Sequence, residues 1–294
     1  MENIEDWRKA GRIAAEALDY GKSLIINGAS YSDVTEKIEA KIMELGGECA
    51  FPVQLSLNDI AAHFTVEPGE DIKFTDQLVS LDVGVHVNGA IGDTACTVDL
   101  SGKYADLVKA AEEALQEAIK IIKPGIALGE IGKAIHAAIA KHGFSPITNL
   151  SGHGLDLYDI HTKPTIPNFD TGDKTKLEKG TIVAIEPFAT NGAGVVYESS
   201  NANIFMLIDV KPVRNPITRK VLQEIANYKN LPFCTRWLAK KFSMPQTQFA
   251  LRELRNIGIL KEFPPLPDKK HGIVSQAEHT VLVDDNVEIL TALK

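Results

Sequence analysis

Cysteine is scarce in this 294-residue chain, and the three present, Cys49, Cys96 and Cys234, are odd in number and far apart. Neither a disulfide framework nor a zinc-finger spacing is supported, so any bound metal should sit on oxygen and nitrogen. Long hydrophobic runs are missing too, and none approaches the roughly 20 residues that a membrane span requires. The start, MENIEDWRKAGRIAAEALDYG, lacks the basic opening and continuous apolar stretch of a secretory signal; it is acidic, with the spacing of an amphipathic helix. The expected compartment is therefore the cytoplasm. Positive charge is in deficit overall, giving a net charge of −8. The deficit is uneven. Lys211 to Lys270 carry 13 Lys or Arg against 4 Asp or Glu, a surplus of 9, which leaves −17 for the remainder. A separate module with its own partner would produce this asymmetry, and so would a basic face packed on an acidic body.

What remains is globular in composition, 44% hydrophobic and 24% charged, and long enough for one large domain or two ordinary ones. The most informative segment is Leu78 to Leu100, LVSLDVGVHVNGAIGDTACTVDL. Asn88-Gly89 between two β-rich runs marks a tight two-residue turn, because both central positions of such a turn need positive φ. Val87 then faces Ala90, Gly84 faces Asp93 and Asp82 faces Ala95. Asp82 and Asp93 become diagonal neighbours on one face, roughly 7 Å apart at the backbone. Two carboxylates that close cannot both stay ionised in an apolar setting without a cation between them. A divalent metal is the natural candidate. By the same alternation Cys96 points away from Asp93.

An internal repeat runs at an offset of 97 residues: Ile25 matches Ile122, Gly28 matches Gly125, Ile38 matches Ile135, Ala40 matches Ala137, Ile42 matches Ile139 and Gly46 matches Gly143. In each copy an amphipathic helix ends at a turn, INGAS or IKPGIA, and a second helix stops at a glycine. Strand-rich sequence follows each pair. The pattern predicts a pseudo-symmetric α+β body with a site where its halves meet. In the second half LEKGTIVAIEPFAT gives a buried strand ending in Glu186, in a place resembling that of the Asp82 strand.

From about Asn215 the character changes. Asn215-Pro216 caps a helix to about Tyr228; helices near Thr235 to Phe242 and Pro245 to Ile257 follow, and Gly258 opens an extended segment. Three short helices and an extended tail resemble a winged-helix module. Strand signal returns at GIVSQAEHTVLV, so the basic stretch reads as an insertion. The expected organisation is a body over residues 1–205, a basic winged-helix-like insertion over 206–270, and strands completing the body over 271–294.

Further ligand candidates are His153, between two glycines in SGHGLDLYDIH, Glu186 before a proline, and Glu278 in QAEHTVLV. With Asp82 and Asp93 they form four carboxylates and one imidazole, a hard set suited to two divalent ions sharing bridging carboxylates. His136, His142, His271 and His279 read as structural or solvent-exposed. His86 is placed with them, on the side opposite the two aspartates.

The order Asp, ten residues, Asp, then GHG, EP and EHT resembles the pita-bread metallopeptidases, and FPVQLSLNDIAAH is similar to their methionine aminopeptidase branch. The basic insertion resembles the one that marks type II members, and archaeal type II enzymes also lack an N-terminal extension. The resemblance covers essentially the whole chain. It implies a pita-bread fold with a helical insertion, and Asp82, Asp93, His153, Glu186 and Glu278 as ligands of two divalent ions (Co, Mn, Fe or Zn). It implies His63 and His161 as substrate-contacting histidines, Glu186 as proton acceptor, and a methionine pocket near Phe51, Pro52 and Ile160. The activity implied is removal of the N-terminal methionine from nascent chains. The sequence itself, without a long apolar run or zipper, is expected to have no membrane partner and to be a monomer, and the basic insertion with Lys240, Lys241, Arg252 and Arg255 suggests ribosome contact. Two readings compete: an Xaa-Pro peptidase of the same fold would share all five ligands, and a silent relative could bind ribosomes or RNA but would be expected to have lost ligands.

Overall fold

The computed structural model describes residues 4–199 and 201–293. The first half contains α1 (Ile4–Leu24), α2 (Tyr31–Glu44), β1 (Glu48–Cys49), β2 (Gln54–Leu57), β3 (Leu78–Val87) and β4 (Ala90–Asp99). The second half contains α3 (Ala105–Ile121), α4 (Leu128–Lys141), β5 (Ser145–Pro146), β6 (Ser151–Asp156), β7 (Asp159–Pro167), β8 (Ile182–Ile185) and β9 (Phe188–Thr190). A third segment holds β10 (Ile204–Leu207), α5 (Pro216–Ile225), β11 (Phe233–Cys234), α6 (Thr235–Ala239), α7 (Met244–Asn256) and β12 (Leu260–Phe263). The chain closes with β13 (Val274–Gln276), β14 (Glu278–Leu282) and β15 (Glu288–Ile289).

The second helix of each pair keeps the 97-residue spacing at both ends: α2 and α4 begin at Tyr31 and Leu128 and end at Glu44 and Lys141. Gly28 and Gly125 adopt φ of +85° and +83°, and Gly46 and Gly143 adopt +80° and +79°. These left-handed positions penalise any residue with a Cβ, which is why glycine recurs in both copies. Each inter-helix turn is held by an incoming extended chain, Gly28 N–H donating to Phe74 C=O and Gly125 N–H to Leu177 C=O, both at 2.7 Å. Here the spacing has grown to 103, so the halves stay alike in space after they have drifted apart in sequence.

One large curled sheet runs in the order β1-β3-β4-β14-β8-β6-β7, with β2 also paired to β3 and β15 to β14. The β3–β4 hairpin has the expected register, Val87 opposite Ala90, Gly84 opposite Asp93 and Asp82 opposite Ala95, with Asn88 and Gly89 at φ of 51° and 94°. Strand alternation then divides the faces. Leu81, Val83, Val85 and Cys96 pack with α1 and α2, while Val183, Ile185 and Val281 pack with α3 and α4. Asp82, Asp93 and Glu278 are left on the other face. Helix α1 lies against β4 backbone to backbone: a Cβ on Gly92 would stand 2.6 Å from Gly11 Cα.

The third segment has its own core, including Phe205, Val221, Ile225, Phe233, Leu238 and Leu254, and its own sheet in the order β11-β10-β12. Asn215 Oδ1 accepts from the Ile217 and Thr218 N–H groups, and Pro216 occupies the first turn. Strand β10 already belongs to this sheet at Ile204. Past β12 the chain runs along the body, with Ala61 N–H donating to Leu266 C=O and Asp268 N–H to Asp59 C=O, both at 2.8 Å. Part of the basic surplus is spent on docking: Arg236 forms a two-pronged, buried pair with Glu39 of α2, and Lys240 lies 3.0 Å from Glu36. Among the described residues no helix is long and apolar enough to cross a membrane.

Candidate metal centre

Five polar side chains converge where the two halves of the large sheet meet. The first half gives Asp82 from β3 and Asp93 from β4. Strand β14 brings Glu278 opposite Ala95, which is itself opposite Asp82, so Asp82 and Glu278 face the same way across three strands. From the second half come Glu186, one residue past β8, and His153 of β6, paired with Ala184 of β8. His153 Nε2 is 3.5 Å from Glu186 Oε1 and 3.9 Å from Asp93 Oδ2. One ligand atom each from Asp93, His153 and Glu278 lie within 4.8 Å of one another.

The electrostatics of this cluster are unfavourable without a cation. Asp93 and Glu278 are buried to 3% and 2% exposure, and the Oδ1 atoms of Asp82 and Asp93 are buried with no hydrogen-bond partner. Burial pushes the Asp82 carboxyl up to about 7. Asp93, Glu186 and Glu278 are driven well above the carboxylate range, by burial first and then by each other's negative charge and that of Asp82. Burial pushes the His153 imidazole down to about 4, keeping it in the neutral form that ligates metals. Orphaned buried oxygens, mutually repelling carboxylates and one neutral imidazole are what a hard divalent cation would satisfy. The residues present therefore fit a metal.

The cluster forms the floor of a pocket of about 200 Å³. His63 reaches it from a left-handed backbone position, φ 64°, fixed by its N–H donating to Gln54 Oε1 at 2.6 Å, with its Nδ1 3.3 Å from Pro264 C=O. His161 places its ring 4.6 Å from that of His153. Burial pushes His63 down to about 4. His161 stands at the solvent-exposed mouth, yet desolvation by the surrounding walls holds it well below the usual histidine range, with the His153, His63 and Lys261 charges adding to the effect. Both rings are neutral near pH 7.

Phe51 and Ile160 line the pocket, whereas Pro52 is buried beside Phe51 without lining it. The expectation for His86 needs correction. It lies two residues beyond Gly84 and four beyond Asp82 on β3, so it shares their face, where its ring packs edge-on to Tyr158 at 5.4 Å. His279 does turn away from Glu278, with Nδ1 2.9 Å from Thr291 Oγ1, and His142 and His271 pair with Glu113 and Asp59. His136 is exposed.

Sequence reasoning missed three contributors. Gln54, opposite Asp82 in the β2–β3 register, sets the backbone of His63. Phe263, from the last strand of the inserted segment, packs against both His63 and His161 at 5.3 and 6.0 Å. Thr280 holds the backbone of Asp93. Only Gln54 carried a usable signal, since it lies in the same short run as His63.

The chain matches the profile of metallopeptidase family M24 over residues 5–284. It is 44% identical to the methionine aminopeptidase of Methanocaldococcus jannaschii over 294 residues, covering 99% of each chain. Among solved structures it resembles the methionine aminopeptidase of Thermotoga maritima, with a TM-score of 0.72 and 25% identity over 99% of this chain and 96% of that one. The prolidase from Pyrococcus furiosus shares the fold at a TM-score of 0.63 and 20% identity, but this chain covers only 64% of it.

Proposed function

The chain belongs to metallopeptidase family M24, and from that premise and the geometry of the site we propose that it is a methionine aminopeptidase of the type II, archaeal-like kind. The observation that carries the reading is the convergence of four carboxylates and three neutral imidazoles on one small pocket. Asp82, Asp93, His153, Glu186 and Glu278 would hold two divalent ions (Co, Mn, Fe or Zn), which when bound supply Lewis acidity that activates water and polarises the scissile carbonyl.

The protein's own groups supply the rest. Phe51 and Ile160 receive the apolar methionine side chain, and the acidic floor attracts a free amino terminus, which restricts attack to the first peptide bond. Glu186 accepts the proton of the attacking water. His161, a neutral N–H donor at the mouth, hydrogen-bonds the carbonyl oxygen as negative charge grows there. His63 contacts the scissile amide nitrogen and helps deliver its proton. Metal-stripped protein, reloaded ion by ion and offered Met-Gly-Xaa and Xaa-Pro peptides, tests the reading. Metal-dependent methionine release is expected; preference for Xaa-Pro would instead favour a prolidase-like enzyme.

Substrates on this reading are the N-termini of nascent chains, met in the cytoplasm by a monomeric enzyme. Lys211, Arg214, Arg219, Lys220 and Arg252 remain exposed on the inserted segment, and their charge supports contact with ribosomal RNA. Charge reversal at these positions should abolish co-sedimentation with ribosomes while sparing peptide turnover. A purely ribosome-binding, silent relative is disfavoured because all five ligand positions are filled.

A further inference from the structure

A groove of about 390 Å³ opens from the histidines of the pocket and runs outward. His63, His153, His161 and Phe263 line both spaces, so the groove continues the site. Its walls are β7, outermost in the large sheet, and β12, outermost in the sheet of the inserted segment. Each of these strands pairs on one side only among the described residues, β7 with β6 and β12 with β10. An extended peptide between two open strand edges can hydrogen-bond through its backbone whatever its sequence, which leaves side-chain selection to charged groups along the walls.

Three charged residues line the groove: Lys261, Glu198 and Glu262. Glu262 is engaged by Arg255 at 2.7 Å. Lys261 has no carboxylate within 4.0 Å among the described residues, and its Nζ stands 4.8 Å over the ring of Phe263, the same ring that touches His63 and His161. Lys261 is thus an unpaired cation against the ring that abuts both histidines.

We propose that the substrate chain beyond the scissile bond leaves as an extended strand between β7 and β12, and that Lys261 selects for a carboxylate side chain at the third residue. The inference rests on the aminopeptidase reading, with methionine in the pocket and the small second residue at the histidines. Lys261 acts here as a specificity residue; the chemistry does not pass through it.

The test uses metal-loaded full-length protein and three peptides, Met-Ala-Glu-Ser, Met-Ala-Gln-Ser and Met-Ala-Lys-Ser. For a solvent-exposed pair, kcat/KM should fall about two- to five-fold from Glu to Gln, and further to Lys. The order should flatten near 1 M salt, where the screening length is only about 3 Å. Lys261→Met should remove the preference and Lys261→Glu should invert it. Because each preference is a ratio measured on one protein preparation, any loss of active fraction cancels. Equal rates on all three peptides, or an order unchanged in both variants, overturns the groove assignment while leaving methionine release intact. No methionine release from any peptide overturns the aminopeptidase reading itself, and the assignment with it.

Discussion

The hydroxyl of Thr280 takes the place of a backbone partner for Asp93: its Oγ1 accepts the Asp93 N–H and donates to the Asp93 C=O, each at 2.8 Å. Thr97 makes the mirror arrangement with Gln276, accepting its N–H at 2.9 Å and donating to its C=O at 2.7 Å. Between these flanks, among the described residues, β4 and β14 pair directly only at Glu278–Ala95 and His279–Thr94. The seam is therefore held by hydroxyl bridges on both sides of the carboxylates, and the main chain of Asp93 is fixed by one side chain.

Thr280→Val keeps the shape and removes the bridge, leaving two buried polar groups unpaired. A loss of about 1–3 kcal/mol of stability is expected, together with metal affinity lowered roughly 10–100-fold, as for other residues that orient a ligand. Thr280→Ser should restore most of both. Thermal melts and metal titrations of the two variants check this, and a valine variant that binds metal like the parent would show that the bridge does not position Asp93.

What was legible in the sequence follows from these contacts. The hairpin could be read because an Asn-Gly turn fixes register, and register fixes which aspartates share a face. The same parity rule places His86 on the face of Asp82, four residues along β3. The repeat could be read through the helix ends, where glycine at positive φ recurs at a constant spacing. It faded where the spacing grew from 97 to 103. The seam between β4 and β14 joins residues about 185 apart through threonine hydroxyls, which have no local pattern, and Phe263 enters the site from a segment whose helices drew attention elsewhere.

Metal removal should change how stability depends on pH. About one pH unit above the ordinary histidine value of 6.5, His63, His153 and His161 are essentially neutral in both folded and unfolded chains and drop out. The carboxyls remain. Asp82 titrates near 3.8 when unfolded and at about 7 in the folded, metal-free site, and Asp93, Glu186 and Glu278 are also raised well above the carboxylate range. A raised carboxyl stabilises the fold fully below its unfolded pKa, and that contribution is lost as pH rises through the folded one. The melting temperature of EDTA-treated protein should therefore fall from about pH 7.5 upward, where only the carboxyls still titrate. Saturating Mn²⁺ should flatten the fall, because the ionised ligands are then paired. Parallel curves with and without metal would mean that the cluster is not where the metal binds.

Arg236 and Glu39 dock the inserted segment onto α2. The guanidinium spans both carboxylate oxygens at 2.8 and 2.5 Å, Trp237 Nε1 donates to the same carboxylate at 3.1 Å, and both charged residues are buried. Arg236→Ala strands a buried anion and should cost about 3–5 kcal/mol, whereas replacing both partners with apolar residues should recover most of it. Denaturant melts of Arg236→Ala and of Glu39→Leu with Arg236→Met provide the comparison. Equal destabilisation of the two would show that the pair's Coulombic attraction, and not the stranded charge, dominates.

Gly84 lies between the candidate metal ligands and Phe51, which lines the pocket above them. It lies between Asp82 and His86 on the site-facing side of β3, opposite Asp93, and a Cβ placed there would meet Phe51 Cε1 at 2.1 Å and Cδ1 at 2.4 Å. Those atoms belong to a ring that is itself 5% exposed and wedged among neighbours, so it cannot simply swing into solvent. Gly84→Ala must therefore displace Phe51 toward the pocket it lines, at an overpacking cost of about 1–3 kcal/mol. Methionine binding should weaken more than the chemical step, since the carboxylates and His153 stay in place, and KM for a Met-Gly-Xaa peptide should rise with little change in kcat. Adding Phe51→Leu, which gives the new methyl room, should recover stability while leaving a wider and less selective pocket. Steady-state kinetics on the single and double variants distinguish these effects: an unchanged KM in Gly84→Ala would mean that Phe51 belongs to the core and does not shape the methionine site.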